Sequence, residues 1–185
     1  ERQPAMYFPL VGLMLGFIIA GVDYGLRMAL PNMLTSAMDV VLLVLLTGAL
    51  HFEGFVDSCD GLFGGHTRER RLEIMRMKNV GAYAVAGGAL LLILKFAAIT
   101  SLPYEWSRFW ALALFPMLSR WGMALVLSVF PYARAEGLGT AFRGVKPLHV
   151  VVSGAIAFII AGIFGSLAGI ILFALVTIIA IFMGL

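Results

Sequence analysis

The sequence predicts an all-α, polytopic transmembrane helix bundle of about six spans, and three observations carry that prediction. Apolar residues make up 62% of the chain and charged residues only 12%, about half the charged share of a soluble domain. Mean hydropathy is +1.01, more apolar surface than a soluble core needs but what lipid-facing helices require. The apolar residues fall in long runs, not in the period-two alternation of a transmembrane barrel. All of residues 1–185 therefore read as a single integral membrane domain without a separate soluble part. Glu1 is not a natural start and Leu185 falls inside an apolar run, so the sequence reads as truncated at both ends. The net charge of +3 reads as a topology signal, not as a nucleic-acid footprint. Cys59 is the sole cysteine, which excludes an internal disulfide.

The first apolar run covers Met6 to Val22, with Asp23 and Arg27 marking an aqueous edge. Pro31 and Asn32 break the next stretch. Ser36-Ala-Met-Asp39 has the form of a capping box, so the second helix is expected to start near Ala37 with Asp39 in its first turn. That helix is expected to run past Leu50 into the segment His51–Gly65, where Gly64-Gly65 is the first strong breaker. Thr67 to Lys78 is basic and amphipathic and belongs at the membrane surface. A third span covers Val80 to Thr100, where Lys95 snorkels. Tyr104 and Trp106 follow as interface anchors, and a fourth span covers Phe109 to Phe130. His149 to Leu185 is apolar for about twice the length of one crossing. Gly165-Ser166 near its middle predicts a tight turn between two spans, or a kink. The loop His51–Asn79 carries five Lys/Arg and Pro131–Pro147 carries three, against Arg27 and Arg108 in the alternate loops. The basic side is expected to be cytoplasmic, giving a multi-pass protein of the cell inner membrane whose active site faces the cytoplasm.

The chemistry concentrates in His51-Phe-Glu-Gly-Phe-Val-Asp-Ser-Cys-Asp-Gly61. Glu53, Asp57 and Asp60 are spaced by four and three, which on a helix places three carboxylates on one face. At a helix C-terminus these charges are disfavoured by the dipole, and a divalent cation is the natural compensation. All-oxygen ligands favour Mg²⁺, Mn²⁺ or Ca²⁺ over zinc. Gly54 and Gly61 would allow a ligand or backbone to approach closely. The basic cluster that follows, Arg68, Arg70 and Arg71, suits either phosphate oxygens or anionic lipid. Arg120 lies mid-span, where a charge is costly and functional by default, with the carboxylate cluster or a substrate phosphate as its expected partner. Arg134 stands beside Glu136 at the cytoplasmic edge, and Asn79 opens the third span.

Four segments together resemble the cobalamin synthase family, the adenosylcobinamide-GDP ribazoletransferases. They are Tyr7-Phe-Pro-Leu-Val-Gly12; Gly48 to Gly61; Arg71-Leu-Glu-Ile-Met75 with Gly81-Ala-Tyr83; and Arg120 with Pro131 to Gly139. The His51–Gly61 and Arg134–Gly139 motifs in combination are specific. The resemblance implies a Mg²⁺-dependent membrane transferase (Mn²⁺ as the alternative ion). It would join α-ribazole or its 5′-phosphate to adenosylcobinamide-GDP, release GMP and form adenosylcobalamin or its phosphate. It implies catalytic roles for His51, Glu53, Asp57 and Asp60, with Glu53, Asp57 and Asp60 on the metal. Substrate contacts fall to Arg71, Arg120, Arg134, Gly61, Gly64, Gly65 and Asn79. The implied partners are those two small molecules and the bilayer, with no nucleic acid; a homo-oligomer is compatible with the pattern. Two positions depart from the family pattern: Glu53 replaces the usual Asp, and Met77-Lys78 replaces Asp-Ser.

Two other readings compete. A CDP-alcohol phosphotransferase also sets aspartates on membrane helices around metals, but its pattern requires Ala-Arg where this chain has Asp57-Ser58. A cation transporter would line a path with Glu53, Asp57, Asp60 and Arg120. It expects carboxylates near the bilayer midplane, whereas a helix begun at Ala37 places the cluster roughly 24 Å or more along the axis.

Overall fold

The computed structural model describes residues 4–103, 106–133, 140 and 147–184. Among these residues every regular element is helical: a short 3-10 turn Pro4–Tyr7, then α1 (Phe8–Leu26), α2 (Asn32–Leu46), α3 (Leu50–Gly64), α4 (Arg68–Ile74), α5 (Ala82–Thr100), α6 (Trp106–Val129) and α7 (Pro147–Gly184). Four of them are long and apolar enough to cross a membrane, or five if α2 and α3 count as one bent span. The chain divides into two compact units, Glu1–Tyr24 with Pro103–Leu185 and Gly25–Leu102.

The first unit contains α1, α6 and α7. Gly12 and Gly16 let α1 lie directly on α6, since a Cβ at either would overlap the backbone of Pro116 or Ala113. Small residues at a helix contact are how membrane helices gain packing where no hydrophobic drive separates protein from lipid. Leu114, Met117, Leu118, Trp121 and Leu125 of α6 form the core with Val150, Ala157, Ala161 and Ala180 of α7.

The length of α7 conceals a hairpin. Ser166 has φ 51 and ψ −144, outside helical space. A Cβ on Gly169 would overlap the carbonyl of Ala161, and one on Gly162 would lie 3.6 Å from Ile170. Residues eight apart in a straight helix are separated by about 12 Å, so the two arms fold back on each other. Trp121 meets both: its ring abuts Gly154, and its Nε1–H donates to Thr177 Oγ1 at 3.0 Å. The turn expected at Gly165-Ser166 is therefore present, and the two arms it joins lie within the single range Pro147–Gly184.

The second unit contains α2 to α5, and here three expectations are corrected. The second helix begins at Asn32, not Ala37. Pro31 supplies the extended residue ahead of it, and a helix tolerates Pro at its start. Ser36 is therefore no cap, and Asp39 lies in mid-helix with 0% exposure. Nor does this helix continue into the acidic segment. It stops at Thr47, where Gly48 and Ala49 both have positive φ, 56 and 59. The Ala49 N–H returns to the Val44 carbonyl at 2.9 Å, the six-to-one bond of a glycine-terminated helix. α3 then leaves at 89° to α2, so the axial distance derived from a helix begun at Ala37 does not apply. Asn32 Nδ2 donates to the Thr100 carbonyl at 2.9 Å, tying the start of α2 to the end of α5.

Candidate active site

Because α3 starts at Leu50, the acidic residues occupy a helix of their own. Glu53 is in its first turn, where the dipole favours a carboxylate; the expected repulsion at a helix C-terminus does not apply to it. The spacing of four and three holds on an intact helix, so Glu53, Asp57 and Asp60 project from one face. Glu53 is exposed, Asp57 half-buried and Asp60 buried. His51 is exposed in the first turn.

An adjacent face of α3 packs on α5. A Cβ at Gly87 would meet Cys59, and one at Gly88 would meet Phe52 and Val56 at 3.0 Å. Cys59 is thus a packing residue. Asp60 lies at the margin of this contact. Its two carboxylate oxygens accept from the Gly81 N–H at 2.6 Å and the Ala84 N–H at 2.8 Å.

Two of the glycines expected at the substrate, Gly61 and Gly65, are closely packed. A Cβ on Gly61 would lie 2.5 Å from the Met75 methyl, and one on Gly65 would lie 2.7 Å from Arg71 Cγ. These close approaches fold α4 back along the end of α3. Gly64 meets only Ile74, at 3.7 Å, and Gly54 faces open space. Arg71 donates from Nε to the Gly65 carbonyl at 2.9 Å, placing a cation on the C-terminal end of α3, where one is favoured. Thr67 caps α4 by accepting from the Arg70 N–H at 3.2 Å. Arg68, Arg70, Arg71, Arg76 and Lys78 are all exposed, as is Asn79 in the connection to α5. The second unit thus brings Asp60, Gly61, Gly65, Arg71 and Gly81 together around the junction of α3, α4 and α5.

Arg120 belongs to the first unit. It is 9% exposed within α6, and its Nη1 donates to Ser119 Oγ at 3.0 Å. Arg134 lies outside the described residues. The sequence reading missed a buried pair in the same unit. α1 runs four residues beyond Val22 and α6 starts three before Phe109, so Asp23 and Arg108 are helical, 0% exposed and paired at 2.8 Å. They are not edge or loop residues. Two lone opposite charges flanking apolar runs were the available signal.

The donor set can be compared with the needs of a divalent cation. Among the described residues no group of three or more His, Cys, Asp or Glu is close enough to enclose a metal. Mg²⁺ does not require one: it keeps several waters and binds through one or two carboxylates plus substrate phosphates. Glu53 and Asp57, one turn apart on α3, fit that requirement.

A family model described as cobalamin-5-phosphate synthase matches residues 2–185. A protein of Desulforamulus reducens named adenosylcobinamide-GDP ribazoletransferase is 39% identical over 142 residues, covering 76% of this chain and 57% of that one. Proteins of the same name from Geotalea daltonii and Pelodictyon phaeoclathratiforme are 41% identical over 138 residues and 37% over 156. Those matches cover 75% and 83% of this chain, and 55% and 61% of the relatives. The chain thus spans a little over half the length of these curated relatives. No solved structure matches it.

Proposed function

The chain belongs to the cobalamin-5-phosphate synthase family, and from this membership we propose that its protein is a membrane-bound, Mg²⁺-dependent transferase. It joins α-ribazole or its 5′-phosphate to adenosylcobinamide-GDP and releases GMP. The observation that carries this reading is the accessible Glu53–Asp57 pair on one face of α3, followed directly by the exposed arginines of α4. Carboxylates for a metal and guanidinium groups for phosphate oxygens are the donor set a diphosphate substrate needs.

In this proposal Glu53 and Asp57 hold the ion. When bound, the ion neutralises charge on the diphosphate and on departing GMP. The α4 arginines bind and orient the phosphate oxygens. The acceptor's ribose hydroxyl attacks the phosphorus on the cobinamide side. A new P–O bond forms, the bond to GMP breaks, and the hydroxyl proton passes to an α3 carboxylate or to His51. Arg120, a guanidinium held within an apolar helix of the first unit, is by that position a functional residue of the protein. The excess of Lys and Arg within α4, in the connection after it and in the segment preceding α7 supports a cytoplasmic site.

The test supplies the full-length protein, in detergent or proteoliposomes, with adenosylcobinamide-GDP and α-ribazole. GMP is then followed with Mg²⁺ and with chelator. GMP release that requires both acceptor and metal is expected; a protein that binds both substrates but releases no GMP overturns the proposal.

A further inference from the structure

Asp60 has a second function available to it, visible in what α5 lacks. α5 begins after Gly81, whose extended backbone (φ −89, ψ 174) is that of an N-cap residue but which has no side chain to cap with. Three residues on stands Ala84, equally unable to reach back. In a capping box two side chains do this work: the N-cap side chain accepts from the third helical N–H, and the third residue's side chain accepts from the N-cap N–H. Here those same two donors, Ala84 N–H and Gly81 N–H, both bond to the carboxylate of Asp60, 24 and 21 residues away.

We infer that Asp60 is a positioning residue: from α3 its single carboxylate supplies both halves of the capping box of α5, fixing the Asn79–Gly81 entry beside the Glu53–Asp57 face, and it is not a ligand of the metal. The helix N-terminus already presents about half a positive charge to this carboxylate, and a cation on the same oxygens would be repelled by it. The buried position of Asp60, 9% exposed, contrasts with exposed Glu53. Gly81 is part of the device. A Cβ there would lie 2.6–2.8 Å from the Asp60 carboxylate, so a local cap and the remote one exclude each other. The capping half of the inference stands on geometry alone; the statement about the metal rests on the proposed reaction.

That mutual exclusion gives the test. Asp60→Ala, Gly81→Ser and the double variant are made in the full-length protein. Thermal unfolding, hydrogen exchange of the amides of residues 81–84, and the Mg²⁺ dependence of GMP release are measured on each. Either single change should lower the unfolding temperature and speed exchange of those amides by roughly fivefold or more, the loss expected for a missing cap. In the double variant the introduced serine hydroxyl has room to accept from the Ala84 N–H, so protection of that amide and activity should return, while the residue-81 amide, which only Asp60 served, stays fast. Its half-activating Mg²⁺ concentration should stay near that of the unsubstituted protein, whereas a lost direct metal contact would raise it by more than the roughly 10- to 100-fold that the loss of an outer-shell partner costs. Unchanged exchange in Asp60→Ala overturns the cap. Restored protection with a raised Mg²⁺ requirement overturns the positioning role in favour of direct ligation. Should Asp60→Ala fail to fold, Asp60→Asn, which keeps one acceptor oxygen and turns the other into a donor, should speed exchange of at least one of the Gly81 and Ala84 amides; unchanged exchange at both overturns the cap, and its Mg²⁺ dependence reads as above. If the unsubstituted protein releases no GMP, the proposed reaction fails while the exchange data still decide the cap.

Discussion

The Asp23 carboxylate and the Arg108 guanidinium meet with neither side chain exposed. Nη2 lies 2.8 Å from Oδ1, and Nε lies 3.0 and 3.2 Å from the two carboxylate oxygens. This fork geometry closes the ends of α1 and α6 against each other in the first unit. Removing one partner strips a buried charge of this paired fork, so Asp23→Ala should lower stability by about 3–5 kcal/mol, read as a fall in unfolding temperature. Asp23→Leu combined with Arg108→Met should recover part of that loss. Equal stability of Asp23→Ala and the unsubstituted protein would show that the pair does not hold the fold.

The contact of α1 with α6 should be intolerant of any side chain at Gly16. A Cβ there overlaps backbone atoms of Ala113, which cannot swing aside as a flexible side chain would. Gly16→Val is expected to cost about 1–3 kcal/mol or more through overpacking. At Gly21, where a Cβ meets nothing within 4 Å, the same substitution should be nearly silent. Comparing the two unfolding temperatures checks the register of the helix pair.

The hairpin turn of α7 places Ser166 in backbone space that side chains rarely adopt, φ 51 and ψ −144. Such a residue stores on the order of 1–3 kcal/mol. Ser166→Gly should therefore raise the unfolding temperature, and Ser166→Val should lower it, because a β-branched residue is worst placed at positive φ. If the order of the two is reversed, the arms are not joined by this turn.

For the candidate site, Asp57→Asn should reduce Mg²⁺-dependent GMP release by at least about 100-fold, because it removes one of the two carboxylates proposed to hold the ion. Glu53→Asp, which restores the residue usual in the family, should stay active, and Glu53→Gln should not. Unfolding temperatures are expected to change little, since Glu53 is exposed and Asp57 only half-buried. Full activity in Asp57→Asn would exclude it from the metal site.

Composition and run length alone settle the class of this protein. They require lipid-facing helices, because only helices and closed barrels satisfy the backbone in lipid, and long apolar runs are not the alternation of a barrel. Spacing put Glu53, Asp57 and Asp60 on one helical face, and the family motifs were readable without coordinates. Even the end of α2 had a signal: Gly48, which a long apolar run obscured. What those side chains face is a property of the folded chain. Periodicity gives a residue's direction around its own helix but not which neighbour it meets there. Whether Asp60 points to a metal or to the bare first turn of α5 depends on a contact 21 to 24 residues away. Whether Gly61 and Gly65 admit a substrate or α4 depends on how the chain folds back after them. Likewise Asp23 and Arg108, each an ordinary charge at the edge of an apolar run, become one buried pair because two helices, their charges 85 residues apart in sequence, pack closely enough to exclude water.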